Sequence, residues 1–178
     1  MYLLQPLLTF LLLTLATCTA VPTPLTRDAT AVINDLNKIT TDLSALTQSI
    51  VAYTGGIPAA LDIQVKEMAV ESDLEQATRD TIAAAPFTVS ESATTTRALL
   101  GLEPDIRTAL VTLVQKKPLV DEARIGAIVR MNLVNLRAKT GSLSTALQNK
   151  ATAVDKDTLA SKTTELNSGF DTAIRVYS

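Results

Sequence analysis

The sequence has no histidine, no tryptophan and a single cysteine, Cys18. Without histidine there is no Ser-His-Asp triad. Without a second cysteine there is no internal disulfide, and the usual zinc sites built on Cys and His have no ligands. Cys18 lies in the N-terminal stretch, so no cysteine nucleophile is expected in the rest of the chain. Aromatic residues are only 3% of the chain, so sugar-stacking platforms are scarce. The net charge of −2 gives no reason to expect nucleic acid or an anionic membrane as a partner. None of the asparagines is followed two positions later by Ser or Thr, so N-glycosylation is not expected. There is no apolar C-terminal tail of the kind a GPI anchor requires. These absences point away from catalysis: no catalytic residue, metal or cofactor is assigned.

The chain opens with MYLLQPLLTFLLLTLATCTA. Its apolar run, Leu7 to Ala16, is half the roughly 20 residues a spanning helix needs. Cys18 and Ala20 are small residues at the positions a cleavage site uses. Residues 1–20 are therefore predicted to be a cleaved signal peptide, although no Lys or Arg precedes the apolar run. A bacterial lipoprotein box ending at Cys18 is the rival reading, and Thr17 fits it poorly. Cleavage removes the only cysteine and leaves one domain's length of chain. Residues 21–27, with Pro22 and Pro24, form an extended leader, and 28–178 a single helical domain.

Helical periodicity dominates the rest of the chain. Val32, Leu36, Ile39, Leu43, Leu46, Ile50 and Tyr53 recur in alternating steps of 4 and 3, and Gly55-Gly56 ends that helix. A second helix runs from Pro58 to about Ala84. It carries two stripes out of phase: Leu61, Val65 and Met68, then Val70, Leu74 and Ala77. Its carboxylates Asp62, Glu67, Glu71, Asp73, Glu75 and Asp80 sit among Lys66 and Arg79 and read as a solvated face. Ser90 is the predicted N-cap of a third helix, which Pro104 should kink or divide. Ile106, Leu110 and Leu113 continue its stripe, and Pro118 closes it. A fourth helix opens near Asp121, with Val129, Leu133, Leu136, Thr140, Leu143 and Leu147 on one face. A fifth opens near Asp157, with Leu159, Thr163, Leu166, Phe170, Ala173 and Tyr177. No alternating pattern suggests a sheet. The predicted fold is all-α: a five-helix antiparallel bundle.

Such stripes pack a core in every helical bundle. Here the interior is aliphatic and long enough to hold a slender apolar ligand between the helices. The candidate lining is Leu36, Leu43, Val65, Met68, Ile106, Leu110, Leu113, Val129, Leu133, Leu136, Leu166 and Phe170. Thr140 and Thr163 interrupt the stripes and are candidates for a polar head group, unless each hydroxyl bonds its own helix backbone.

The segments LEPDIRTALVTLVQKKPLVDEARIGAIVRMNLVNLRAKTGSLSTALQNK and GFDTAIRVYS, with AYTGG at the end of the first helix, carry a resemblance. They resemble the fungal hydrophobic surface-binding protein A family, also called cell-wall galactomannoproteins, from about Val32 to Ser178. The resemblance implies a secreted or loosely wall-associated fungal protein with a five-helix domain. It implies binding of fatty acid or other lipid, or adsorption to hydrophobic surfaces with recruitment of a secreted hydrolase. The Ser/Thr-rich stalk and anchor signal of wall-bound members are missing, which favours a freely secreted form. A monomer carrying apolar ligands is expected. An interfacial adhesin is the alternative, and an effector or inhibitor binding a host protein the third reading.

Overall fold

The computed structural model describes residues 27–178. The predicted signal peptide and nearly all of the leader lie outside the described residues. Within them there are six helices and no strand. They are α1 (Arg27–Ala52), α2 (Ile57–Ala83), α3 (Val89–Gln115), α4 (Lys117–Glu122), α5 (Gly126–Lys150) and α6 (Ala153–Val176). Arg27, placed in the leader by the sequence pattern, already belongs to α1.

The five long helices form a closed ring. Helix α1 lies between α2 and α3, α2 packs on α5, α5 on α6, and α6 returns to α3. Cross-links give the directions. Lys38 reaches Asp73 and Ser49 reaches Asp62, so α1 and α2 are antiparallel. Arg137 meets Asp171 and Ser144 meets Thr163, so α5 and α6 are antiparallel too. Gln64 with Asn132 and Glu71 with Lys139 make α2 and α5 parallel. Ser92 with Asp155 and Glu103 with Lys162 do the same for α3 and α6. Helices successive in the chain alternate in direction, but the ring also holds parallel neighbours, so "antiparallel bundle" describes only part of it.

The stripe of α1 is the spine of the core. Its seven members, Val32 through Tyr53, are each at most 5% exposed. Gly55 and Gly56 then turn the chain at φ of +106° and +86°, which a side chain would oppose. Pro58 sits in the first turn of α2, where its missing N–H costs nothing.

Helix α2 can satisfy only one of its two stripes. Val70, Leu74 and Ala77 are buried, while Leu61, Val65 and Met68 are 60%, 68% and 59% exposed. The ion pairs Lys38–Asp73 (2.6 Å) and Lys139–Glu71 (2.6 Å) pin the flanks of α2 to α1 and α5 and fix its rotation. The carboxylate face is not uniformly solvated either: Glu67 and Asp73 are buried.

Helix α3 starts earlier than the Ser90 cap predicts. Thr88 accepts from the Glu91 N–H (3.3 Å), and the Glu91 carboxylate accepts from the Thr88 N–H (2.9 Å). This is a capping box. Pro104 does not divide α3, which runs on from Val89 to Gln115. A proline inside a helix costs about 3 kcal/mol. Leu99, Leu102, Ile106 and Leu110 are all buried around it. Each burial is worth about 1.5–3 kcal/mol, so packing wins.

Pro118 opens the short helix α4 rather than closing α3. Helix α4 ends because Arg124 takes φ +56°. Ile125 N–H then donates to Val120 O and Arg124 N–H to Asp121 O, a Schellman stop built without glycine. Helix α5 thus begins at Gly126, later than the pattern around Asp121 suggests. Helix α6 begins at Ala153 rather than Asp157, held by Thr152, Asp155 and Ser92. The Ser92 hydroxyl donates to Asp155 at 2.5 Å and accepts from the Thr152 N–H at 3.0 Å.

Candidate functional site

Two adjoining apolar cavities lie inside the ring. The inner one, about 60 Å³, is walled by Ile39, Leu43, Leu46 and Ile50 of α1 and Val70 and Leu74 of α2. Leu99, Leu102, Ile106, Ala109, Leu110 and Leu113 of α3, Leu133, Leu136 and Thr140 of α5, and Phe170 of α6 complete it. Ile50 and Leu113 are shared with a larger outer cavity of about 250 Å³. That cavity lies at the end of the ring where α1 and α3 finish and α2 and α5 begin. Its wall includes Tyr53, Ile57, Ala60, Leu61, Ile63, Gln64, Lys116, Val120, Ile125, Ile128, Val129 and Asn132. For scale, a dry apolar void of about 150 Å³ is enough to admit benzene.

Seven of the twelve residues predicted to line an apolar site lie on the inner cavity wall, namely Leu43, Ile106, Leu110, Leu113, Leu133, Leu136 and Phe170, and the candidate polar residue Thr140 lies there too. Val129 lines the outer one. Leu36 is fully buried but packs into the core away from both walls. Leu166 faces an open groove between α3 and α6 and a small crevice between α3, α5 and α6. Val65 and Met68 lie outside the ring, a correction that follows from the rotation of α2.

The two threonines part company. Thr163 donates to Leu159 O at 2.7 Å and meets the Ser144 hydroxyl in the crevice, so it is already satisfied and does not face the cavity. Thr140 is buried on the inner wall and makes no such backbone bond.

The polar groups of the outer cavity are the part that sequence reasoning missed. Asn132 donates to Gln64 Oε1 at 2.7 Å, and Gln64 donates to Glu67 Oε2 at 2.9 Å. Lys116 donates to Val51 O (2.8 Å) and Tyr53 O (2.7 Å), capping the end of α1. Burial first, then the neighbouring Glu71, pushes the Glu67 carboxyl up to about 8. None of Gln64, Lys116 and Asn132 belongs to an apolar stripe of the sequence. The amides come from helices far apart in the chain, and no spacing rule joins them.

Fold and site define an all-helical protein closed around an aliphatic cavity with polar groups gathered at one end. The model of the hydrophobic surface binding protein A family matches residues 29–149, and the chain belongs to that family. The chain is similar to AfMP4p, whose crystal structure is in complex with palmitic acid. The identity is 45% and the TM-score 0.83, over 84% of this chain and 99% of AfMP4p. The same fold occurs in ligand binding domain 1 of the Penicillium marneffei MP1 protein, complexed with arachidonic acids. There the identity is 18% and the TM-score 0.80, over 85% of this chain and 99% of that one. No curated protein matches the sequence. Among the described residues no helix is long and apolar enough to cross a membrane.

Proposed function

We propose that this protein is a non-catalytic carrier that takes a long-chain fatty acid into the cavity of its helical ring. The observation that carries the reading is the pair of adjoining apolar cavities, walled by side chains from all five long helices. The palmitic acid complex of AfMP4p, at 45% identity, supports it. The apolar segment at residues 1–20, read as a signal peptide, supports secretion, with residues 28–178 acting as one helical domain. The inner cavity is narrow without ligand, so an alkyl chain reaching Thr140 must displace leucine side chains along its path. Titration with cis-parinaric acid, followed by displacement with palmitate, tests the proposal. Micromolar binding is expected, roughly −8 kcal/mol. No fluorescence gain at tens of micromolar protein would rule the carrier out.

A second observation favours an interfacial reading. Ile57, Leu61, Val65 and Met68 of α2 and Ile128 and Met131 of α5 are all about half exposed or more. Their spacing puts them along the α2–α5 seam, and Ile57, Leu61 and Ile128 also belong to the outer cavity wall. A band of this kind is a means of adsorbing to an apolar surface. The triple substitution Leu61→Lys, Val65→Lys and Met68→Lys should abolish depletion by hydrophobic beads. Helical content should not change, because none of the three side chains is buried. Undiminished depletion would place adsorption elsewhere.

A further inference from the structure

Tyr53 is the last residue of the α1 stripe and lies on the wall of the outer cavity. It is only 3% exposed, and its hydroxyl has no hydrogen-bond partner among the described residues. A buried phenol that meets no protein acceptor keeps a donor for a ligand. The neighbouring case is different: Tyr177 donates its hydroxyl to Leu113 O at 2.6 Å. Other buried side-chain atoms in the same condition include Glu67, Glu71 and Asp35 oxygens. Asp35 and Glu67 each have a carboxyl neighbour, Asp80 and Glu71, beside the buried oxygen. Of the unpartnered atoms among the described residues, only the Tyr53 hydroxyl belongs to a residue on either cavity wall.

From this we infer that the Tyr53 hydroxyl is the donor that receives the carboxylate of a long-chain acid. The head group then sits at the α4 end of the ring and the alkyl chain points toward Thr140. The inference rests on the carrier reading. Three further groups on the same wall suit an anion. Lys116 holds its ammonium beside the Tyr53 backbone, and the amides of Gln64 and Asn132 keep N–H groups beyond those used in their mutual bond. The opposite orientation is poor. At the inner end Thr140 is the only polar side chain among aliphatic ones. One hydroxyl there cannot offset the desolvation of a carboxylate.

The experiment uses two probes on the purified chain: cis-parinaric acid, which has a carboxylate, and diphenylhexatriene, which has no polar group. Tyr53→Phe should bind parinaric acid about tenfold more weakly, the effect of one lost bond to a charged group. It should bind diphenylhexatriene like the parent. Its ligand-free melting temperature should hold or rise, since the substitution deletes only an unsatisfied hydroxyl. Thr140→Val tests the opposite orientation and should weaken parinaric acid binding far less than Tyr53→Phe does. Equal parinaric acid binding by Tyr53→Phe and the parent overturns the inference. So does an equal weakening for both probes, which would reduce Tyr53 to packing, or a loss confined to Thr140→Val. If the parent binds neither probe, the carrier reading itself fails and takes the anchor with it.

Discussion

Replacing Glu67 by glutamine is expected to abolish most of a loss of stability between about pH 4.5 and 8. Glu67 is 4% exposed on α2, facing α5. Its Oε2 accepts from Gln64 at 2.9 Å, while Oε1 of both Glu67 and Glu71 is buried with no other partner. The second oxygen of Glu71 takes the Lys139 ammonium at 2.6 Å. The arrangement closes if Glu67 keeps its proton and donates it toward Glu71. Burial, then the bond to Glu71 and its charge, holds the Glu67 carboxyl up at about 8 against an ordinary 4.5. The sign follows from linkage. Below pH 4.5 the folded and unfolded chains both hold this proton, and its contribution is fully present. Between 4.5 and 8 only the folded chain holds it, so stability falls as pH rises, and it levels off above 8. Each unit of such a window is worth about 1.4 kcal/mol, which makes the loss several kcal/mol. Glutamine supplies the same donor at every pH. Thermal melts of parent and Glu67→Gln from pH 4.5 to 9 check this. Parallel slopes would show that Glu67 ionises freely in the fold.

Asp35 reinforces the trend over a lower window. Burial, then Asp80, raises its carboxyl to about 6 from 3.8. Asp42, Glu75 and Glu103 act oppositely. A hydrogen bond with Asp73 and then Lys38 hold Asp42 low, while Lys139 does so for Glu75 and Arg107 for Glu103. Their contribution is present above the ordinary carboxylate range and is lost as pH falls through their lowered values. Together these groups place the stability maximum on the mildly acidic side.

Leu102→Ala is expected to lower stability by about 3–5 kcal/mol, whereas Leu61→Ala should change it by less than about 0.5 kcal/mol. Both are leucines on amphipathic helices of one ring. Leu102 is 1% exposed and lines the inner cavity, so alanine there enlarges an existing void that its neighbours cannot close. Leu61 is 60% exposed on the α2–α5 seam. For a chain of this size the first change moves the melting temperature by about 10 °C. Denaturant melts of the two variants give the comparison. A small cost for Leu102→Ala would mean that the ring collapses onto the void, and the enlarged cavity would then not accept extra ligand.

Much of the site was legible where one stripe ran in a single phase. Helices α1 and α5 show this: Leu43, Leu133, Leu136 and Thr140 all reach the cavity wall. Helix α2 was not legible, because Leu61-Val65-Met68 and Val70-Leu74-Ala77 are equally good apolar faces within their own turns. Periodicity ranks faces by apolar content and takes no account of ion pairs such as Lys38–Asp73, which decide between them. Thr140 and Thr163 looked alike because spacing does not show which hydroxyl is used: Thr163 bonds Leu159 O of its own helix and meets Ser144 of α5. The break between α4 and α5 was hidden because Arg124 occupies a left-handed position where glycine is the usual sign.

By itself the sequence determined the helical class, the aliphatic interior and the lack of histidine and of a second cysteine. These depend on composition and on periods of three and four residues, which are properties of the local chain. Only the tertiary structure decided the ring order, the rotation of α2 and the gathering of Tyr53, Gln64, Lys116 and Asn132 around one cavity. Those four residues come from α2, α5 and the ends of α1 and α3. No local rule couples them. Their proximity follows from how five helices share one core, and the unsatisfied Tyr53 hydroxyl becomes visible only once that core is closed.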